Sequence, residues 1–499
     1  MTSLWRDARP AIPTDPFPSD ARFDHIVVGA GLTGLTTALL LARRGRRVAV
    51  LEGRTIGAVA SGNTTGKLSL LQGVKLQKVR ALNTPAVFRA YVDSQRAAFE
   101  WMRDYLTETG VPFQRLPAVT YAETADEVEA VHREYAAARA AGLPAVLAEG
   151  AELPEPGHAA VVLDGQVQFD PMDVLTQLAA DIRPLGGVIV ADARVVRVGL
   201  GDPVEAHTAH GTVSADSIVF ATGTPPLVRG LYWAKVEARR SSVVAFDVPD
   251  AVATMPTGMF LGAGEAPHSI RWHEGSLLVG GGGHDAGRQR PGHDPYGDLV
   301  EWTRERWAGA EPTHRWSAQD YTPSSRIPFV GYLPRGRGRA FLATGYDKWG
   351  MTGAVAAALL LEADLTGRRE GWQRTLGRRP TLPQAVAVGI GANAAVVSWY
   401  ARGYLGAIRS AIRGEHADAT PALPPTAIIA SERGATEVCL VCPHLGAIVR
   451  WNEAESTWDC PAHGSRFRAT GEYLEGPTFG DLRSRPRPEP EAAASASSA

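Results

Sequence analysis

The sequence predicts a parallel α/β domain, interrupted by a second, antiparallel sheet and followed by a small all-β domain near the C-terminus. Three observations predict it. A strand, glycine turn and helix open the chain as FDHIVV, GAGLTG and LTTALLLARRG. Strand-like runs, SSVVAFDV, SIRWHE and SLLVGGGG, occupy the middle. Two cysteine and histidine corners, CPH and CPAH, stand fifteen residues apart near the end. A length of 499 residues already calls for more than one core.

Bulk composition narrows the function. A hydrophobic fraction of 44% with 21% charged residues is that of a globular protein. Lys plus Arg (51) and Asp plus Glu (53) nearly cancel, so no net field draws in nucleic acid, and no nucleic-acid partner is expected. Residues 1–22 form an N-terminal extension with charges and prolines but no apolar run, hence no expected signal or anchor. Only three cysteines are present, and two sit in the corners. That usage fits a reducing, cytoplasmic location. Between Arg379 and Arg402 lie twenty-two uncharged residues. Prolines, glycines, Gln384, Asn393 and Ser398 make them a poor membrane span. A buried interdomain helix within a 379–420 linker is expected instead.

The first element is the strongest. Gly29 permits the tight turn after the strand, Gly31 lets backbone approach a diphosphate, and Gly34 lets the helix lie close to the strand. The diphosphate then faces the orphan N–H groups of the helix start. Glu52, eighteen residues after Gly34 at the end of RRVAVLE, is placed to accept from ribose hydroxyls. Other glycine runs fail this test. GIGANA at 389–394 is followed by no suitably placed acid, and GGGGHDAG at 280–287 opens no helix. One dinucleotide site is therefore expected.

Further along, helices are predicted over Thr84–Thr109, with Pro85 in the first turn and Gly110 as stop, and over Thr124–Ala141 with Thr124 and Glu127 as a capping box. A helix after Asp170 and Pro171 leads to the strands VIVADARVVRV and SIVFATG. RAFLATGYDKWGMTGAVAAALLLEADLTG reads as strand, glycine loop and apolar helix. Parts 23–82, 165–232 and 325–370 are assigned to the dinucleotide domain, within a larger unit at 23–378. Parts 83–164 and 233–324 are assigned to the interrupting domain. The compact last domain spans about 421–486, and the tail 487–499 is expected to be disordered.

At the C-terminal end, Cys442, His444, Cys460 and His463 offer two thiolates and two imidazoles. A tetrahedral zinc is one reading of such a set. The flanking residues Leu445, Gly446, Gly464, Ser465 and the later Gly476-Pro477 resemble the Rieske [2Fe-2S] motif. By that resemblance one iron takes Cys442 and Cys460, the other His444 and His463. Two departures stand out. Ala447 and Ala462 replace the cysteines that high-potential members join as a disulfide, and Phe467 replaces a tyrosine, while Ser465 is kept. Fewer donors to the sulfurs imply a potential in the lower half of the Rieske range. Cys439 is expected to be a buried thiol.

The motifs SLW, VGAGLTGL, SGNTTGK, ATGTP, WSAQDY and GYDKWGMT resemble the D-amino-acid oxidase-like family of FAD-dependent oxidoreductases, in its branch with a fused C-terminal Rieske domain. The resemblance implies a Rossmann-like α/β FAD-binding domain with an inserted α+β substrate domain, and FAD and a Rieske-type [2Fe-2S] cluster as cofactors. It places FAD against Glu52, Gly53 and Arg54, and along the polar loop through Ser61, Thr64, Thr65 and Lys67. Val195, then Thr222 and Gly223 of the ATG turn, follow. Gly345, Gly350, Met351 and Thr352 set a helix N-terminus at the flavin pyrimidine. SSRIPFVG departs from relatives near Ser325, where an acidic residue is usual.

The implied activity is oxidation of an amine, amino acid or related small molecule at a C–N or C–O bond, with electrons passing between flavin and cluster. A redox partner protein or other acceptor is implied. An electron-transfer flavo-iron-sulfur protein without an organic substrate is the alternative. No triad or paired-acid motif marks a catalytic side chain. Arg271, Asp320 and Lys348 are the candidates, with Arg271 as a carboxylate clamp.

Overall fold

The computed structural model describes residues 2–148, 157–249, 257–413, 425–431 and 434–487. Two compact units are present, Met1–His284 with Asp294–Ile390, and Asp285–His293 with Gly391–Ala499. Residues 414–420 of the expected linker and 488–499 of the expected disordered tail lie outside the described residues, while Arg487, the first residue of that tail, ends a strand.

In the first unit, β1 (Arg22–Val28), α1 (Leu32–Arg43) and β2 (Val48–Leu51) form the expected opening. β1 pairs in parallel with β2 and with Gly211–Phe220, and β2 in parallel with Val188–Val190. Ala340–Thr344 continues the sheet in parallel, and Phe329–Tyr332 closes it antiparallel. Strands of a parallel sheet are buried on both faces, and β2 accordingly reads VAVL with every residue buried. Leu35 and Leu39 of α1, Leu175 and Leu178 of helix Pro171–Ile182, and Val355 and Leu361 of helix Gly350–Thr366 share its main core.

The second sheet has nine strands. Most of its pairs are antiparallel, as expected, while Met259–Gly262 runs parallel to Phe113–Tyr121. Lys67–Leu68, assigned from sequence to the dinucleotide part, pairs instead with this sheet through Gln168 and Val167. Its long pair, Val236–Asp247 with Glu311–Pro323, carries Asp320 opposite Arg239.

Caps explain most boundaries. Thr84 accepts from Val87 N, Pro85 opens the helix, and Gly110 at φ +73° ends it. The proposed capping box at Thr124 does not form: that side chain makes no cap bond, and Glu127 turns back to accept from Glu123 N at 2.8 Å. A short 3₁₀ turn therefore precedes helix Val128–Ala140. VIVADARVVRV splits into Val188–Val190 and Arg197–Leu200 around Asp192 at φ +51°.

The uncharged stretch is helical within Pro383–Arg413, yet Ile390 and Val397 are 66% and 67% exposed. Alanine and glycine supply much of this uncharged run, so its neutrality did not require burial, and these apolar side chains are exposed. Among the described residues no helix is long and apolar enough to cross a membrane.

The second unit holds two small sheets. Thr426–Ser431, Gly434–Cys439 and Ser484–Arg487 make one; Arg450–Asn452, Thr457–Asp459, Arg466–Arg468 and Tyr473–Glu475 make the other. Val438, Val449, Trp458, Phe467 and Leu482 fill the space with Cys442 and Cys460. Cys439 is half-buried rather than buried.

Candidate functional site

The parallel strands of the first unit end together at a glycine turn. Gly29, at φ +104°, donates to Leu51 O at 2.9 Å, and Ala221 donates to Val28 O at 2.9 Å. A Cβ on Gly34 would stand 1.9 Å from Gly29 O, and one on Gly31 would stand 2.9 Å from Ser61 Oγ. Only glycine leaves this space for helix and ligand to approach the strand. α1 starts without a side-chain cap or an acidic first turn, and Leu32 N donates to Ser61 Oγ at 2.9 Å. Glu52 closes β2 with its buried carboxylate accepting from Ala30 N (2.8 Å) and Arg54 N (2.9 Å). Burial raises its pKa, opposed by those amides and by the Arg54 charge. A cradle of glycine backbone, an uncapped helix start and a carboxylate at the second strand's end fit a dinucleotide.

A second uncapped helix start lies at Gly350, again with no acid in its first turn. The turn before it is unusual, since Gly345, Asp347 and Lys348 all have left-handed backbones, at φ +86°, +54° and +69°. Tyr346 ties it to α1 through a 2.7 Å hydroxyl contact with Thr33 Oγ1. Lys75 donates to Tyr346 O at 2.8 Å, while Asp347 accepts from Thr322 Oγ1 (2.8 Å) and Arg326 Nη1 (3.2 Å). Its neighbouring cations hold the Asp347 carboxyl below the usual range against burial.

In the second unit, the two cysteine corners are built alike. Cys442 N donates to Ala447 O (2.8 Å) and Gly446 N to Cys442 O (2.9 Å); Cys460 N donates to Ser465 O (2.8 Å) and Gly464 N to Cys460 O (3.1 Å). Gly446 and Gly464 take φ +85° and +76° to close these turns. The His444 and His463 rings approach to 5.0 Å at 90°. Burial lowers their pKa values to about 4 and about 3, which keeps both imidazoles neutral, the form that binds metal. The Cys442 thiol is pushed down by a hydrogen bond from Cys460 and by backbone amides at His444 and Leu445. His444 Nδ1 is buried with no hydrogen-bond partner in the protein, and the Ser465 hydroxyl faces the Cys442 sulfur, which suits a group held between the loops. Among the described residues no group of three or more His, Cys, Asp or Glu is arranged around one metal position. Two cysteines and two histidines on matched loops match the donor set of a Rieske cluster, which takes two per iron.

Residues from outside the motif hold these loops. Tyr400 and Tyr404 donate to Leu445 O (2.9 Å) and Gly446 O (2.8 Å), and Arg288 Nε donates to Pro461 O (2.8 Å). A Cβ on Gly287 would stand 2.6 Å from Pro461 N, and one on Gly476 would stand 2.5 Å from Ser465 Cα. No sequence signal pointed to Arg288, Tyr400 or Tyr404, because each comes from a distant segment.

Residues 24–363 match the FAD dependent oxidoreductase family DAO. The chain belongs to that family. Residues 424–486 of this FAD-dependent oxidoreductase match the Rieske [2Fe-2S] domain. The chain is 27% identical over 501 residues to the Rieske 2Fe-2S iron-sulfur protein YhfW of Bacillus subtilis (strain 168), covering 96% of this chain and 97% of that one. Glycine oxidase from Geobacillus kaustophilus shares its fold at a TM-score of 0.59 and 23% identity, over 70% of this chain and 96% of that one. L-proline dehydrogenase from P. horikoshii gives 0.58 and 17%, over 71% and 96%.

Within the oxidoreductase, the residues expected around FAD fall into two groups. Gly29, Gly31, Gly34, Glu52, Gly53, Arg54 and Ser61 gather at the cradle, with Thr222 and Gly223 on the adjoining strand end; there Thr222 Oγ1 donates to Thr224 O at 2.7 Å. Val195 is packed with Leu51 and Ala193 in the core behind them. Met351 and Thr352 have buried side chains, and Thr352 Oγ1 accepts from Gln72 Nε2 at 2.9 Å, so their backbone is what the helix start offers. Lys67 departs from expectation: its ammonium is committed to Phe260 O (2.7 Å) and Ser269 Oγ (2.8 Å) in the second sheet, and burial pushes its pKa well down.

Arg271 is buried beside the same loop. It is 1% exposed, lies 5.2 Å over the Trp5 ring, and its Nη1 donates to Thr65 O and Phe169 O. Through Nη1 this guanidinium anchors the loop carrying Thr64 and Thr65, while its Nε and Nη2 are buried with no hydrogen-bond partner in the protein. Asp320 accepts from Tyr321 N (2.7 Å) and from Lys348 N, and burial raises its carboxyl to about 6. Lys348 Nζ lies 2.9 Å from where a Cβ on Gly283 would stand. Asp320 and Lys348 thus meet at the turn before Gly350.

Proposed function

We propose that this protein oxidises an amine, amino acid or related small molecule at a C–N bond and passes electrons between FAD and a Rieske [2Fe-2S] cluster. The observation that carries the reading is the presence, in one chain, of the glycine and Glu52 cradle and of two matched cysteine and histidine loops. FAD supplies two-electron oxidation when bound and the cluster one-electron transfer. The neighbours named glycine oxidase and L-proline dehydrogenase lend their substrate class to the proposal.

The chain's own residues have separable tasks in it. The α1 start and Gly29, Gly31 and Gly34 hold the diphosphate, and Glu52 the ribose. The helix starting at Gly350 directs its positive end at the flavin. Asp320 fixes the Gly345–Lys348 turn through Lys348 N and, with a carboxyl near 6, is poised to accept a proton close to neutral pH. Cys442 and Cys460 bind one iron, and His444 and His463 the other. Cys439, the cysteine not assigned to iron, is an unpaired thiol, which suits a reducing cytoplasm.

Anaerobic mixing with a panel of amines and amino acids tests the reading. Bleaching of the flavin followed by cluster reduction is expected with at least one class. Reduction by a protein donor alone would establish the electron-carrier alternative. The cluster potential is expected in the lower half of the Rieske span of about −150 to +300 mV. Phe467 is fully buried and brings no hydroxyl to the sulfurs, while buried Ala447 and Ala462 leave the loops without a disulfide. A redox titration with a midpoint near the upper limit would contradict this.

A further inference from the structure

Four consecutive carbonyls of the loop that leads from β2 to the second sheet each accept a side-chain hydrogen bond. Ser3 Oγ donates to Gly62 O at 2.5 Å, Trp316 Nε1 to Asn63 O at 2.9 Å, Trp5 Nε1 to Thr64 O at 2.6 Å, and Arg271 Nη1 to Thr65 O. Two of the four donors come from Ser3 and Trp5, outside the 24–363 family match. Both are buried, at 0% and 2% exposure. The Trp5 ring packs edge-on to His273 at 4.9 Å and under the Arg271 guanidinium.

The rest of this N-terminal segment is fastened as well. Arg6 Nη1 donates to Ala58 O at 3.2 Å. Arg9 binds Asp170 and Asp173 at 2.7 and 2.6 Å and returns to Trp5 O at 3.0 Å. A turn in which Arg6 N and Asp7 N both donate to Ser3 O presents Ser3 and Trp5 together. The loop's opposite side reaches the dinucleotide cradle, where Ser61 Oγ accepts from Leu32 N at the start of α1. Its carbonyls are thus used up on one side while its other side closes the cradle.

We propose that residues 3–9 form a clasp that holds the Gly62–Thr65 loop against the FAD cradle and so sets the affinity for FAD. Ser3 and Trp5 are positioning residues, acting through the loop and not by touching the cofactor. A carbonyl that loses its buried donor turns toward whatever donor or water it can reach. Loss of both clasp bonds lets the loop leave the α1 start and opens the cradle.

The experiment compares the intact protein with a Ser3→Ala, Trp5→Phe double variant, which keeps the ring in the core but removes both donors. FAD binding is titrated into each deflavinated protein by flavin fluorescence, and FAD release is timed on dilution. At least about tenfold weaker binding, equivalent to ~1.4 kcal/mol, with faster release is expected. Cluster absorbance should be unchanged, since the second unit holds the cluster ligands. Equal affinity in variant and parent overturns the inference. Should the double variant fail to fold, Arg9→Gln, which frees the clasp at its surface end, is expected to weaken FAD in the same direction, and an unaltered affinity there overturns the proposal equally. The inference rests on the FAD reading, and the two fail differently: a parent protein that binds no FAD defeats the reading, whereas a parent and variant that bind alike defeat only the clasp.

Discussion

Replacing Arg466 by leucine is expected to leave a protein that keeps FAD but loses most of its iron and acid-labile sulfide. Arg466 is 5% exposed and its guanidinium meets three carboxylates: Asp459 at 2.9 Å, Glu455 at 2.6 Å and Glu475 at 2.8 Å. Asp459 is fully buried and also accepts from Asn452 Nδ2 and Thr457 Oγ1. Without the cation, three carboxylates crowd one small core. Breaking a buried ion pair from one side costs about 3–5 kcal/mol, a large part of the roughly 5–15 kcal/mol that holds a domain together.

The effect should reach the cluster because Asp459 immediately precedes Cys460. Lysine is expected to rescue only in part, since one ammonium cannot satisfy three partners that a planar fork serves. Iron and sulfide per chain, together with thermal melting of the cluster absorbance, provide the measurement. Full cluster content with an unshifted melt in Arg466→Leu would show that the network contributes little.

The second large effect is expected from Cys460→Ser. The sulfur it removes is fully buried and receives backbone amides from Ala462 and His463. A hydroxyl of much higher pKa does not replace a thiolate at iron. The variant should bind FAD with parental affinity, show no Rieske electron paramagnetic resonance signal, and still bleach its flavin with substrate while passing no electrons to a one-electron acceptor. His463→Ala should give the same pattern, because neither loop completes the site alone. Retention of one bound zinc and no sulfide in the parent would overturn the ligand assignment for both.

What the sequence revealed and what it hid follow from the range of each interaction. The Gly29–Gly34 turn and Glu52 are legible because strand, turn, helix and strand are contiguous, and each glycine has a local steric reason. The cysteine and histidine loops are legible for the same cause: the hydrogen bonds that shape them span four or five residues. The loop-anchoring part of Arg271 was hidden because an arginine in a strand says nothing of which carbonyls it meets, here Thr65 and Phe169. Lys67 was drawn into the cofactor loop by its neighbours in the chain, although its own partners lie near residues 260 and 269. The helix 383–413 shows the converse error, where a charge-free composition suggested burial that its exposed Ile390 and Val397 do not have.

At φ +54° and +69° glycine would be the relaxed choice for Asp347 and Lys348, and an L-residue held there gives up roughly 1–2 kcal/mol. Asp347 recovers that debt from Thr322, Arg326 and Lys75, so its carboxylate works as a keystone for a bend that would otherwise spring open. Beside it, a pair of glycines would make a slacker hinge, and the helix mouth behind it would lose its fixed aim.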